Sequence, residues 1–326
     1  MSRVTFYRKY RSKTFSELKG QEHISQTLEN AMANDRLGNA YIFSGPRGTG
    51  KTSSARIFAK LLNVTEGHTV DTCPVCDRIG KGLSPDVLEI DAASHTGVDN
   101  IRSLNDQVNF MPVECKYKLY IIDEAHMLSI GAFNALLKTL EEPPSHTIFI
   151  LATTEPQKIP VTIRSRCQQL FFKLLTIDDI SAQLREIATA ESIEISDQSL
   201  NTIARSSGGC MRDGISLLDQ VYSFKGHSIS QEDVLLILGA ANLEQLYRFF
   251  ECLFSSNAQA TIQFLNTCVE DGIQVMKLVS DLSQVTHQMV MLKLKLGEHL
   301  DIDDQRQEKL AAISETRSLE QLQSLL

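Results

Sequence analysis

Gly45-Pro46-Arg47-Gly48-Thr49-Gly50-Lys51-Thr52 is the stretch that decides the class of this chain. The G-x-x-x-x-G-K-T spacing curls backbone N–H groups around a triphosphate, brings the Lys51 ammonium to its β/γ oxygens and puts the Thr52 hydroxyl on a magnesium ion. What flanks it agrees. Ala40-Tyr41-Ile42-Phe43 reads as a short buried strand, and Ser53 to Leu62 carries Ala55, Phe58, Ala59 and Leu62 at helical spacing. A helix starting there points its partial positive charge at bound phosphates, with Gly45, Gly48, Thr49, Gly50 and Ser53 along the loop.

A phosphate loop needs a second strand that carries carboxylates. Lys118-Leu119-Tyr120-Ile121-Ile122-Asp123-Glu124 supplies one: an apolar run of a buried parallel strand ending in two acids. Asp123 is placed to hold magnesium and Glu124 to polarise an attacking water. Alone, such a pair reads as solvated acids capping a strand. Downstream of a phosphate loop it points to nucleoside triphosphate hydrolysis, with the nucleotide and Mg2+ as the expected cofactors.

The 326 residues suggest two or three domains, and 42% apolar content is enough for ordinary cores. Met1 to Tyr10 lacks the apolar centre of a secretory leader, and no run approaches the ~18 apolar residues of a membrane span. A cytoplasmic chain without a membrane partner is expected. Seven scattered cysteines do not make a disulfide framework. The net charge is −8 but uneven: Met1 to Lys60 holds eleven Lys/Arg against four Asp/Glu, whereas Leu243 onward holds seven against twelve. A basic N-terminus suits either nucleic acid or a nucleotide-facing, solvated segment.

Strand candidates Tyr41–Ser44, Val87–Asp91, Leu119–Asp123, Ile148–Thr153 and Gln168–Phe172 alternate with helical patterns, which predicts a five-stranded parallel sheet between helices. From Ile177 to Val221 and from Glu232 to Ala240 only helical periodicity is expected, as in a small lid. From Leu243 the chain is again helical, with Leu246, Phe249, Phe250 and Phe254, then Val275, Leu278, Val279 and Leu282, at three-to-four spacing.

Six ordered segments resemble the γ/τ (DnaX-type) ATPase subunit of the bacterial DNA polymerase III clamp loader, of the AAA+ superfamily. They are YRKYRSKTFSELKGQE, GPRGTGKT, EIDAASHTGVDNIR, LYIIDEAHML, LATTEPQKIPVTIRSRC and GGCMRDGISLLDQ, within Met1 to Ala240. The resemblance implies an AAA+ P-loop domain over 1–175, a helical lid over 176–241 and an all-α collar for oligomerisation over 242–326. It assigns Tyr7, Arg8, Tyr10 and Arg11 to the adenine pocket, Thr154 to sensing the γ-phosphate and Arg212 to a lid sensor. Arg166 resembles a finger reaching the ATP of a neighbouring subunit, a role that suits a planar, permanently charged donor.

Two departures stand out. The family carries zinc between four cysteines after the phosphate-loop helix. Here, over 62–82, Cys73 and Cys76 remain while Val64 and Ile79 take the outer positions. Two thiolates do not complete a tetrahedral site, so zinc is not expected and the segment reads as a degenerate remnant. A redox role for C-x-x-C is set aside because the pair is not expected to open a helix. At the other end, about 84 residues follow Asn242 without a Pro-rich linker, which suits a short-form motor subunit and leaves open whether the collar is shortened.

The resemblance also points to DNA. Ser94, His95 and Thr96 are expected at the N-terminus of a helix after Asp91 that faces phosphates, although a capping role for Ser94 or Thr96 serves equally. Together these observations describe an ATP-hydrolysing subunit working with other clamp-loader subunits, a sliding clamp and primed DNA. The alternatives are an ATP-insensitive structural subunit of the same loader and a branch-migration-type AAA+ helicase. Intact Lys51, Thr52, Asp123 and Glu124 speak against the first. A helicase of that type calls for a pore hairpin and a winged-helix domain, and no strand-turn-strand signal follows Leu243.

Overall fold

Five parallel strands, β1 (Ala40–Ser44), β2 (Val87–Asp91), β3 (Lys118–Asp123), β4 (Thr147–Thr153) and β5 (Gln168–Phe171), form one sheet in the order β2-β3-β4-β1-β5. The expected strands are all present, with ends displaced by at most one residue. In this computed structural model, which describes residues 4–326 apart from 95, 256, 301, 303 and the side chain of 304, β1 and β4 are buried along their whole length. Their apolar runs lack polar alternation because both faces are covered. Successive residues of β1 still go to opposite sides: Tyr41 and Phe43 join Phe58 and Ile150 in one core, and Ile42 joins Tyr120, Phe133 and Phe149 in the other.

The helices follow in chain order as α1 (Phe6–Lys9), α2 (Glu22–Ala33), α3 (Lys51–Leu62), α4 (Pro74–Lys81), α5 (Val98–Val108), α6 (Ile130–Glu141), α7 (Val161–Arg164), α8 (Ile177–Ala190), α9 (Asp197–Ser206) and α10 (Met211–Lys225). Helix α3 opens two residues before Ser53 because Gly50, at φ 103°, makes the left-handed entry a side chain would resist. The helix expected directly after Asp91 opens only at Val98. Asp91 accepts from the Ala93 N–H and the Ser94 hydroxyl, both at 2.9 Å, which closes a turn. Ser94 and Thr96 therefore precede the helix instead of capping it, and His95 lies outside the described residues.

Two units divide the chain, one running up to Ala190 and including Ile203–Asp219, the other comprising Glu191–Thr202 and Gln220–Leu326. The second unit corrects the purely helical expectation: β6 (Glu194–Ile195) pairs in parallel with β7 (Ser228–Ile229). Two-residue strands are too short to show a period. Helix α11 (Gln231–Leu238) follows, and α12 (Leu243–Phe254), α13 (Ala258–Glu270), α14 (Val275–Lys293), α15 (Asp304–Ser314) and α16 (Leu319–Gln323) gather Leu246, Phe250, Cys268, Leu278, Met289, Leu310 and Leu322 into a separate core. Phe249, Phe254 and Leu282 pack against it, whereas Val275 and Val279 are exposed. Among the described residues, no helix is long and apolar enough to cross a membrane.

Candidate nucleotide site

The pairing register brings the strands' carboxyl ends to one edge of the sheet. Ser44 lies opposite Thr153, and Asp91 opposite Asp123. The loop after β1 and the acids after β3 are separated only by β4, so residues 71 apart in sequence meet. There the Thr52 hydroxyl donates to Asp123 Oδ2 at 2.8 Å.

Three glycines shape the phosphate loop. A Cβ on Gly45 would stand 2.3 Å from the carbonyl oxygen of Phe172, and one on Gly48 would stand 1.9 Å from Cys210 Sγ. Gly50 begins α3. The Thr49 hydroxyl ties back to Pro46 O at 2.9 Å. Lys51 is 7% exposed and its ammonium donates to the carbonyls of Gly45 (2.9 Å) and Pro46 (2.7 Å). Burial pulls the Lys51 pKa down, opposed by the negative charges of Glu124 and Asp123. A desolvated ammonium resting on loop carbonyls is poised for an anion.

Glu124 follows β3 in a left-handed conformation, φ 48°. The Asp123 carboxylate accepts the Glu124 N–H at 3.0 Å, and the Thr154 hydroxyl donates to Glu124 Oε2 at 3.3 Å. Thr52, Asp123, Glu124 and Thr154 thus form one connected series. Thr52 and Asp123 offer two hard oxygen donors side by side, which fits a magnesium ion completed by phosphate and water.

Beside the loop a cleft of about 710 Å³ is lined by Tyr7, Arg8, Tyr10 and Arg11 as well as by Lys51, Thr52, Ser53, Asp123 and Glu124. Arg11 donates to Ser53 Oγ at 3.0 Å. Its pKa is lowered, first by burial and then by Arg56 nearby. The guanidinium of Arg212, at the start of α10, lies 5.1 Å from the centre of the Tyr7 ring, and that of Arg8 lies 5.8 Å from it. The expected base pocket and lid residue therefore share one wall. Residues given no role in the sequence reading complete the cleft: Leu18, Leu175 and Ile215 give it an apolar side, and Arg56 is paired with Glu89. No local pattern marks these, since each comes from a separate element.

Arg166 does not line this cleft. It sits just past α7, donating to Glu141 Oε1 at 2.5 Å and to Thr162 O at 2.6 Å.

The cysteine pair departs from expectation in one respect. Cys73 is the N-cap of α4, accepting the Cys76 N–H at 3.4 Å, so C-x-x-C does open a helix. Burial opposes the Cys73 thiolate, but hydrogen bonds from Thr65 and Cys76 outweigh it and lower the thiol to about 6, while burial lifts Cys76 to about 12. Both side chains are buried with Ile79, and Val64 packs on the same core. Among the described residues no group of three or more His, Cys, Asp or Glu is placed to hold a metal. Two thiols flanked by aliphatic side chains do not fit a four-donor zinc site.

Comparison with known proteins matches the chain in three successive segments. Residues 20–176 match the family described as DNA polymerase III, delta subunit; 179–226 match the ATPase lid domain of the DNA polymerase III clamp loader subunit; and 229–326 match domain III of DNA polymerase III subunits gamma and tau. DNA polymerase III subunit tau of Bacillus subtilis is 47% identical over 300 residues, 91% of this chain and 53% of that protein. Its Escherichia coli counterpart is 40% identical over 317 residues, 95% of this chain and 49% of that protein. The chain spans about half the length of the curated relatives it matches. The Thermotoga maritima RuvB Holliday junction branch migration motor superposes with a TM-score of 0.54 at 20% identity, covering 75% of this chain and 79% of that one, which is likeness of the AAA+ fold alone. The phosphate loop, the acids after β3 and relatives at this identity along most of the sequence place the chain in the DNA polymerase III gamma/tau family.

Proposed function

We propose that this chain is an ATP-hydrolysing motor subunit of a DNA polymerase III clamp loader. In a ring with other loader subunits, in the cytoplasm, it uses ATP binding to open a sliding clamp and hydrolysis to leave the clamp on primed DNA. One observation carries the reading: Thr52, Asp123, Glu124 and Thr154 are joined in a connected series beside the Lys51 ammonium.

Lys51 exchanges the carbonyls of Gly45 and Pro46 for the β/γ-phosphate oxygens. Thr52 and Asp123 would hold magnesium, which when bound would neutralise phosphate charge. Glu124 leaves Thr154 to orient the attacking water, and Thr154 turns to the γ-phosphate. Tyr7, Arg8, Tyr10 and Arg11 receive the base, and Arg212 links the nucleotide to the lid, residues 176–241, which follows the motor domain, 1–175, in the chain. Arg166 acts on a neighbour's ATP, and residues 242–326 form the collar.

Titration with a fluorescent ATP analogue, combined with hydrolysis rates alone and with partner subunits, clamp and primed DNA, tests this. Lys51→Ala should abolish clamp loading through weak nucleotide binding, and Glu124→Gln should retain binding while slowing turnover. Equal affinity of Lys51→Ala and the parent would sink the site assignment. No nucleotide binding by the parent would favour a structural subunit.

A further inference from the structure

His126 lies outside the nucleotide cleft yet touches the residue proposed to orient water. It sits in the short 3-10 turn Ala125–Met127 directly after Glu124, and only 9% of its side chain is exposed. Nδ1 is 3.1 Å from Thr153 Oγ1 and 3.5 Å from Glu124 Oε2. On the other side of the ring, Nε2 is 3.4 Å from Glu155 Oε1. A carboxylate opposite Nε2 calls for a proton on that nitrogen; in the neutral ring Nδ1 then accepts the Thr153 hydroxyl, which ties the turn to β4, and in the cation Nδ1 also donates toward Glu124.

The Glu155 end is anchored independently. Its backbone N–H donates to Thr153 Oγ1 at 3.0 Å, and Lys158 donates to its carboxylate at 2.8 Å, the bond that chiefly lowers the Glu155 pKa. Thr153 is the last residue of β4 and fully buried. The imidazole is therefore fixed on one side to the end of the sheet and on the other to the turn that follows it. Glu124 is held by its backbone, whose N–H goes to Asp123 and whose carbonyl accepts from Met127 in a sparsely populated conformation, and among the described residues its carboxylate is bonded or ion-paired to Thr154 and His126 alone. A side chain in such a turn holds one direction only when its surroundings over-determine it.

We propose that His126 is a positioning residue for Glu124, holding the turn and its carboxylate in register with β4 through Thr153 and Glu155. His126 does not itself line the cleft, whereas Glu124 does, so the imidazole acts through Glu124 and not on nucleotide. This rests on the proposed ATPase reading of the same site. Misplacing a catalytic group by about an ångström costs up to about 10²-fold in rate while leaving uniform binding intact.

The experiment measures nucleotide affinity, single-turnover ATP hydrolysis and thermal midpoint for the full chain assembled with its loader partners, comparing parent, His126→Ala, His126→Gln, Glu155→Ala and the double variant His126→Ala/Glu155→Ala. His126→Ala should lower the hydrolysis rate about 10- to 100-fold with affinity changed less than about twofold. His126→Gln, whose amide N–H can reach toward Glu155, should recover part of the rate. The double variant should be no slower than His126→Ala, because both changes cut the same tie. His126→Ala at the parent's rate, or a loss of affinity equal to the loss of rate, overturns the proposal. If His126→Ala does not fold, His126→Gln and Glu155→Ala decide it: unchanged rates in both overturn it. A parent assembly that binds no ATP fails differently, removing the site reading itself.

Discussion

Cys210 Sγ lies so close to Gly48 that a Cβ at position 48 would stand 1.9 Å from it. The thiol just before α10 thus forms part of the phosphate loop's outer wall, two residues from Arg212. Its pKa is raised, chiefly by burial, which suits a thiol used as packing.

That contact separates two costs. Gly48→Ala meets both a left-handed backbone, φ 69°, and the sulfur, whereas Gly208→Ala meets only a comparable backbone, φ 58°, with nothing within 4 Å. Gly208→Ala should cost about 1–2 kcal/mol. Gly48→Ala should cost more and weaken nucleotide binding, and Cys210→Ala should recover part of its excess. Urea unfolding and nucleotide titration measure both; equal losses at the two glycines would show that the sulfur yields freely.

Arg166 is held by Glu141 and Thr162 on its own chain and lines no part of its own cleft. Arg166→Ala should leave ATP affinity of the isolated chain nearly unchanged and reduce hydrolysis in the assembled loader. Arginine fingers reach roughly 10³ to 10⁵ in rate, and a ring with another slow step shows less. In mixed assemblies the variant's own site should still turn over when a finger-bearing neighbour faces it. Loss of turnover there would place Arg166 in its own subunit's chemistry.

The segment around α4 should hold without metal. Purified protein should carry well under one zinc per chain, and a chelator should leave the thermal midpoint unmoved, because Val64 and Ile79 supply apolar packing where donors would stand. Ile79→Ala, at 2% exposure, should cost about 2–5 kcal/mol. Stoichiometric zinc surviving dialysis would refute this.

Asp86, 1% exposed, accepts the N–H groups of Val113, Glu114 and Cys115 at 2.8 to 3.0 Å. Asp86→Ala leaves these donors without the carboxylate and should cost about 2–4 kcal/mol; Asp86→Asn, which keeps one acceptor oxygen, should cost less. Hydrogen exchange at residues 113–115 should rise in step. Unchanged exchange would mean that the loop holds itself.

Local pattern was enough for the strands, the phosphate loop and the acid pair. A strand buried on both faces must be continuously apolar, and a loop wrapping phosphate must place Gly, Lys and Thr at set intervals, so Gly45 to Thr52 and Leu119 to Glu124 declare themselves. Gly50 at φ 103° and the close approach at Gly45 are the physical content of those intervals. Contacts between distant segments carry no such mark. Strand order, which puts β4 between β1 and β3, lets Thr52 meet Asp123, and packing alone sets Cys210 on Gly48 and Leu18 and Leu175 around the cleft. The two-residue pairing of β6 with β7, the delayed start of α5 and the capping of α4 by Cys73 were likewise decided in three dimensions. His126 shows the difference most sharply. In sequence it is one residue of a familiar motif, and only the fold, by burying it between Glu124 and Glu155, gives it partners on both sides.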